Sequence, residues 1–326
     1  MNQHKNKKIQ CVPAVCVMCG SPFFTVNAQG KDYEYRTSDQ IFHFVSCTAC
    51  GHEYLNPRPA DHCIGLAYPA NYYTLSGRHT SRQSAIIARF KSFVVSHRLG
   101  FFKGLLKGKV SVLEVGCGDG ALLIDLKKTY PGLNVFGLDM SLSADTVRRC
   151  AELGIPLIRT AVEQADYGVE RFDLIIMNQV IEHVADPVTV VKTLASWLKP
   201  GGYITMETPD KAGYDRRLFY QSFWGGYYFP RHLHLFDRES LKALVEKADL
   251  QVVRQYSLLA PIIWIFSFHA LVCDGLRPGK KKDILSWFFS DKNPVCLGMF
   301  TVVDLLARLS GFSTSNQKII ARKKTF

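Results

Sequence analysis

The stretch Val110-Ser-Val-Leu-Glu-Val-Gly-Cys-Gly-Asp-Gly120 decides the architecture. Its first half is β-branched and apolar, as a strand buried on both faces requires. Its second half puts Gly116, Gly118 and Gly120 at a strand-to-helix turn, and a helical pattern over 121–128 follows. Glycines there let the backbone approach a ligand closely. A second strand, Asn134-Val-Phe-Gly-Leu138, ends in Asp139, 23 residues after Gly116. A carboxylate at that strand end is placed to accept both hydroxyls of a ribose.

The alternation continues outward. Residues 143–153 read as a helix and 156–158 as a strand. Phe172-Asp-Leu-Ile-Ile-Met177 is a buried strand that leads into Asn178-Gln-Val-Ile-Glu-His-Val184. A helix over 187–198 is stopped by Lys199-Pro-Gly-Gly202. A fifth strand covers 203–208, a helix capped by Asp237 runs to about residue 248, and a sixth strand covers 251–257. This order predicts an α/β fold, a doubly wound sheet whose ligand crevice lies at the carboxyl ends of the strands.

Upstream stand Cys16-Val-Met-Cys19-Gly20 and Cys47-Thr-Ala-Cys50-Gly51, with 27 residues between Cys19 and Cys47. Two residues between thiolates let one turn present both sulfurs to one ion, and two such knuckles complete a four-thiolate site. The pattern predicts a zinc ribbon over 1–60, with Cys16, Cys19, Cys47 and Cys50 as ligands of a structural zinc. His52 and Cys63 read as non-ligands. A basic linker follows over 61–109. Within it, apolar residues at helical spacing over 84–106 alternate with Arg and Lys, as in an amphipathic helix that could pack on the next domain or lie on a membrane.

The joint set resembles the class I S-adenosylmethionine-dependent methyltransferases. It comprises E-V-G-C-G-D-G with Asp139, F-D-L-I-I-M-N, Glu182-His183-Val184 and L-K-P-G-G, and it spans about 110–257. The resemblance implies a seven-stranded Rossmann-like methyltransferase sheet over 110–326, closed by a last strand at 317–322. It implies that Glu114, Gly116, Cys117, Gly118 and Gly120 shape the methionine side of the cofactor pocket. Asp139 would hold the ribose, with Met140 beside the adenine and Asn178 and Gln179 at the methyl end. Relatives often carry an Asp near the adenine amino group; Thr160-Ala-Val-Glu163 stands there instead. Residues 258–314 become a helical insertion between strands six and seven, with apolar arms at 258–272 and 294–309. A crossing helix needs about 20 apolar residues, so an interfacial hairpin or a helical cap suits these arms better.

Methyl transfer needs alignment and, for a hydroxyl acceptor, a base. Gln221-Ser-Phe-Trp-Gly-Gly-Tyr-Tyr-Phe-Pro-Arg-His-Leu-His-Leu-Phe236 follows strand five, above the strand ends. His232 and His234 share a face if that segment is extended, and with His183 they are the candidate bases. Arg231 could hold an acidic group of the substrate. No Asp/His cluster beyond the knuckles suggests a catalytic metal. The C-x-x-C-G pair, Asn56-Pro-Arg-Pro59 and P-R-H-L-H-L-F resemble methyltransferases with an N-terminal zinc ribbon. Many of those look like enzymes of surface-polysaccharide, sugar and secondary-metabolite pathways. That implies an oxygen or carbon of a sugar or glycan precursor as acceptor, free or on a nucleotide or lipid carrier.

Two alternatives stand beside this reading. One is an RNA methyltransferase that binds through ribbon and linker; Asn178-Gln-Val-Ile in place of an Asn-Pro-Pro-Tyr-type clamp argues against it. The other is an inactive binding module, disfavoured by the intact glycine turn and Asp139. Net charge is +12. The span 110–257 is net −3 while the linker is net +7, so the basic excess flanks the cofactor region and suits an anionic membrane surface or carrier. The basic N-terminus lacks the apolar core of a secretory signal, and the cysteine spacing fits a reducing compartment. The expected place is cytoplasmic, with peripheral contact on the inner face of the membrane through 258–314 and the 84–106 helix.

Overall fold

A computed structural model describes residues 8–69, 110–275, 280–290 and 292–325. The expected 84–106 helix and most of the basic linker lie outside these residues.

The N-terminal part holds β1 (Cys11–Val12), β2 (Phe24–Gly30), β3 (Phe42–Cys47), β4 (Glu53–Leu55) and β5 (Arg58–Pro59). β1 pairs with β5, and β2, β3 and β4 form an antiparallel meander. A short 3₁₀ helix, Asp61–Ala67, follows.

The large sheet begins with β6 (Ser111–Val115), then α1 (Ala121–Thr129), β7 (Asn134–Asp139), α2 (Ala144–Ala151) and β8 (Leu157–Arg159). It continues with β9 (Phe172–Asn178), α3 (Pro187–Trp197), β10 (Leu198–Pro209), the one-turn α4 (Arg216–Phe219) and β11 (His234–Leu235). Then come α5 (Arg238–Glu246), β12 (Leu250–Leu258), α6 (Pro261–Gly275), α7 (Lys280–Phe288), α8 (Pro294–Leu309) and β13 (Asn316–Lys323). The order across the sheet is β12-β13-β10-β9-β6-β7-β8, with β13 antiparallel to both neighbours. The seven expected strands are present, and the insertion between the sixth and seventh is helical. The chain reverses its winding between β6 and β9, where a doubly wound sheet opens its crevice.

Alternation along the central strands explains their mostly apolar sequence. Leu113, Val115, Ile175 and Met177 pack against Val190, Val191 and Leu194 of α3 and Leu241, Leu244 and Val245 of α5. Their neighbours Val112, Leu174 and Ile176 pack on Leu122, Leu123 and Leu126 of α1 on the other face. With helices on both sides, the inner positions are buried on either face, and only Ser111, Asp173 and Asn178 toward the strand ends are half-buried. Helix starts follow the expected chemistry. Ser143 and Asp186 cap α2 and α3, and Asp237 forms a capping box with Ser240. The helix over 187–198 stops at Trp197, one residue early. Lys199-Pro-Gly-Gly202 lies inside β10, where the register shifts between Leu198 and Tyr203.

A separate core joins three parts of the chain. Ile263, Trp264, Ile265, Cys296 and Phe300 of the insertion pack with Phe219, Trp224, Tyr227 and Phe229. Phe42, Phe44 and Leu55 of the N-terminal meander complete it. β11 also pairs with β4, so it becomes the fourth strand of the meander. Asp304 of α8 accepts the Ala260 amide at 2.5 Å and the Trp264 indole N–H at 2.9 Å, which fixes α8 to the start of α6. No helix among the described residues is long and apolar enough to cross a membrane.

Asp215 ties this region to β13. Its carboxylate accepts Ser315 Oγ, and the Trp224 indole N–H at 3.1 Å. Burial pushes it up to about 6. The folded chain therefore binds this proton more tightly than the unfolded chain does. Its share of stability is complete below about pH 4 and is lost as pH rises through about 6. Asp215→Asn should remove that dependence. Across pH 4 to 6 the variant should gain about 2–3 kcal/mol relative to the parent, read by denaturant titration. Parallel curves for the two proteins would reject this.

Candidate functional site

The glycine turn is built as the sequence requires. Gly116, Gly118 and Gly120 have φ of 74°, 53° and 71°, a region closed to most side chains. A Cβ on Gly116 would also lie 2.2 Å from Val180 Cγ2. The amides of Gly116 and Cys117 donate to the Leu138 carbonyl at 2.7 and 3.2 Å, which joins the turn to the end of β7. Asp139 is clasped there. Its Oδ2 accepts the Gly118 amide at 2.8 Å and its Oδ1 the Ser141 amide at 2.7 Å. Burial raises the Asp139 carboxyl, while the two amides pull it back. Each oxygen keeps a lone pair for a further donor.

The other expected cofactor residues are placed as follows. Glu114 is buried on β6, and Met140 stands 62% exposed at the crevice rim. The Cys117 thiol packs in the core, where burial pushes it up, so only its backbone faces the turn. Asn178 ends β9, and its buried Oδ1 has no hydrogen-bond partner. Gln179 differs from the expectation. Expected at the methyl end, its side chain donates to Asn316 Oδ1 of β13 at 3.0 Å. A left-handed turn, a clasped carboxylate with free lone pairs, an orphaned amide oxygen and an exposed thioether fit the diol, ammonium and ring of S-adenosylmethionine.

Beyond Asn178 the chain turns through 179–184, and three polar side chains meet. Glu182 is fully buried, and Thr208 Oγ1 donates to its Oε2 at 3.0 Å. Its Oε1 has no partner; His232 Nε2 stands 3.9 Å away, too far for a hydrogen bond. His232 Nδ1 contacts the Gly226 carbonyl at 2.8 Å. His183 Nδ1 contacts the Arg231 carbonyl at 3.0 Å and the Tyr68 hydroxyl at 3.2 Å. The two rings meet edge to face at 4.7 Å. Burial pushes Glu182 up to about 8, His183 down to about 4 and His232 well below its usual value. This Glu182–His183–His232 group was not expected from the sequence, where no Asp/His cluster beyond the knuckles suggests a catalytic metal. Tyr68 and Glu182 had carried no assigned role, because a tyrosine and a carboxylate 114 residues apart form no spacing motif.

His234 does not join this group. The amides of Leu233 and His234 both donate to the Glu182 carbonyl, at 2.7 and 3.1 Å. The chain is thereby pinned at its bend, and the two imidazoles diverge. His234 Nδ1 meets His52 Nε2 at 3.1 Å, beside the second cysteine knuckle. Arg231 is also corrected as a substrate group. Its Nη1 and Nη2 donate to Asp32 Oδ1 and Oδ2 at 3.0 and 2.7 Å, and both side chains are fully buried.

The four cysteines converge as expected. Their sulfurs all lie within 4.8 Å of one another, with Cys16–Cys50 and Cys19–Cys47 at 3.5 Å. A tetrahedral ion with Zn–S of about 2.3 Å has sulfur–sulfur edges of about 3.8 Å. Gly20 and Gly51 return their amides to the Cys16 and Cys47 carbonyls at 2.7 and 2.9 Å, with φ of 77° and 73°.

Residues 83–255 match the family described as Methyltransferase domain, just over half of the chain. The chain belongs to this methyltransferase family. Its relatives include the ubiquinone biosynthesis O-methyltransferase of Photobacterium profundum, 35% identical over 122 residues, which are 36% of this chain and 48% of the relative. That of Coxiella burnetii is 40% identical over 107 residues, 32% and 44% of the two chains. The chain thus spans about half the length of the curated relatives it matches. Among solved structures it resembles an Archaeoglobus fulgidus SAM-dependent methyltransferase (18% identity, TM-score 0.45, 74% of this chain and 100% of that one). It also resembles coclaurine N-methyltransferase bound to N-methylheliamine and SAH (16%, TM-score 0.46, 80% of each). The methyltransferase domain holds the glycine turn, Asp139, Asn178 and the Glu182–His183–His232 group.

Proposed function

We propose that the protein transfers the methyl group of S-adenosylmethionine to a hydroxyl oxygen of a small-molecule acceptor. The observation that carries this reading is the meeting of Glu182, His183 and His232 just past Asn178, at the carboxyl edge of the sheet. The sulfonium would lie over the glycine turn with its ribose on Asp139. The acceptor hydroxyl would face the imidazoles, which are neutral near pH 7 and can ease the loss of its proton. O-methyl transfer by the curated relatives supports oxygen as the acceptor atom. A hydroxylated sugar or glycan precursor, free or carrier-linked, is the acceptor class that the cysteine-bearing N-terminal part favours. Transfer of labelled methyl to a panel of hydroxylated phenols, nucleotide sugars and RNA tests this. Label should enter a small hydroxylated compound; label in RNA alone would overturn it. His183→Ala and His232→Ala should each lower turnover about 10²–10⁴-fold with cofactor affinity unchanged.

Two further readings complete the proposal. The four sulfurs hold a structural zinc, and its loss in Cys16→Ser would be read as one equivalent of metal. The insertion rests on an anionic membrane surface. Val295, Val302, Leu306 and Leu309 of α8 and Trp287 of α7 are exposed, Trp287 to 71% and Leu309 to 84%. An apolar face with aromatic anchors and nearby cations suits the bilayer interface. Replacing Trp287, Leu306 and Leu309 by Ser should reduce sedimentation with anionic vesicles several-fold at low salt. Undiminished sedimentation would remove this surface as the anchor.

A further inference from the structure

We propose that Glu182, His183 and His232 bind a divalent transition-metal ion of the zinc class, which takes the acceptor hydroxyl as a further ligand. One ring nitrogen from each histidine and one Glu182 oxygen all lie within 4.8 Å of one another. Three protein donors with room for another ligand are the usual set of a catalytic zinc site, whereas four thiolates close one.

The surrounding groups supply the support that such ligands need. A carbonyl can only accept, so the Gly226 and Arg231 contacts assign the ring protons of His232 and His183 to Nδ1. Each Nε2 is left as a lone pair, oriented by its backbone carbonyl as metal-bound histidines usually are. Thr208 fixes the far oxygen of Glu182. The near oxygen is buried with no donor in reach. The group therefore gathers two imidazole lone pairs beside the Glu182 carboxyl, and an ion entering it would displace the proton that burial favours on that carboxyl. An ion about 2.1 Å from each donor needs edges of about 3.4 Å. The 3.9 Å between His232 Nε2 and Glu182 Oε1 is half an ångström from that. A bridging water is the rival occupant, since it too could satisfy Oε1.

The site also has a way in. His183 and Tyr68 are only half-buried, so the ion would face the crevice through them. Two neutral imidazoles and one carboxylate give a site of net charge +1 with the ion bound, which suits an anionic or strongly polarised hydroxyl oxygen. The placing of the acceptor rests on the methyl-transfer reading; the binding of the ion does not.

The test is a metal count on the full chain, stripped with chelator and reloaded with Co²⁺. The parent should retain two equivalents after dialysis. One should show thiolate-to-cobalt charge transfer from the four cysteines, and the other should show only weak ligand-field bands. Glu182→Gln and His232→Ala should each lose the second equivalent and keep the first. The half-buried His183→Ala serves if the buried variants do not fold. Cys16→Ser should do the reverse. A parent that holds only the thiolate-bound ion overturns the proposal, as does a second equivalent that survives in all three variants. The count uses neither cofactor nor acceptor. Its failure therefore leaves label transfer to decide the methyl-transfer reading separately.

Discussion

Asp139→Ala should weaken S-adenosylmethionine binding by about 100-fold or more. A hydrogen bond to a charged group contributes about 1.5–3 kcal/mol, and a ribose diol would donate two to this carboxylate. The substitution also releases the Gly118 amide now held at 2.8 Å and the Ser141 amide held at 2.7 Å. The turn then loses the Gly118 tie to β7 and keeps only the bonds from the Gly116 and Cys117 amides to the Leu138 carbonyl. Asp139→Asn keeps one acceptor and should lie between parent and alanine variant. Isothermal titration of cofactor into the purified chain reads the effect. Affinity within threefold of the parent for the alanine variant would sink the ribose assignment.

Asp32→Ala should cost about 3–5 kcal/mol of stability, the usual result of leaving one partner of a buried ion pair behind. Arg231 is left without its ion-pair partner in a site from which water is excluded, and the Glu34 carboxyl near it is itself pushed up to about 8 by burial. Its guanidinium lies 4.6 Å over the Tyr35 ring and 4.9 Å over the Tyr228 ring, so it has little freedom to reach solvent. In the intact protein the Arg231 charge and its hydrogen bonds outweigh burial and hold Asp32 below the usual carboxylate range. That share of stability is present above the ordinary aspartate value and fades as pH falls through the lowered one. Denaturant titration at pH 7 measures the loss, and a change below about 1 kcal/mol would show that the pair is not truly desolvated. Asp32→Ala with Arg231→Met should recover part of the stability, since an apolar pair can replace a buried ion pair at little cost. Turnover should fall too, because the Arg231 carbonyl orients His183.

Local rules made the sheet legible. β6 and β9 are short apolar runs bounded by glycine and asparagine, and their period-two burial follows from helices on both faces. The glycine turn, Asp139 and the cysteine knuckles were readable because each is a spacing constraint within one supersecondary unit. The parts that escaped join residues far apart in the chain. His52 meets His234 across 182 positions, and Asp32 meets Arg231 across 199. No periodicity records such a meeting. His232 and His234 were expected to share a face, since alternate residues of a strand do. The strand starts only at His234, and the bend before it is set by a carbonyl that belongs to another segment. Gln179 escaped similarly: its φ of 55° turns the side chain toward β13, and composition at that position gives no sign of a left-handed residue.

The pairing of β11 with β4 constrains how the gene could be divided. If the N-terminal meander were made without the rest, the outer edge of β4 would be bare and Phe42, Phe44 and Leu55 would lose their cover. The remainder, made alone, would present β11 and the rings of Tyr227 and Phe229 to water. Open strand edges beside exposed aromatic surface recruit other chains. The two halves are therefore best viewed as interdependent partners, to be co-expressed or left joined, rather than as interchangeable modules.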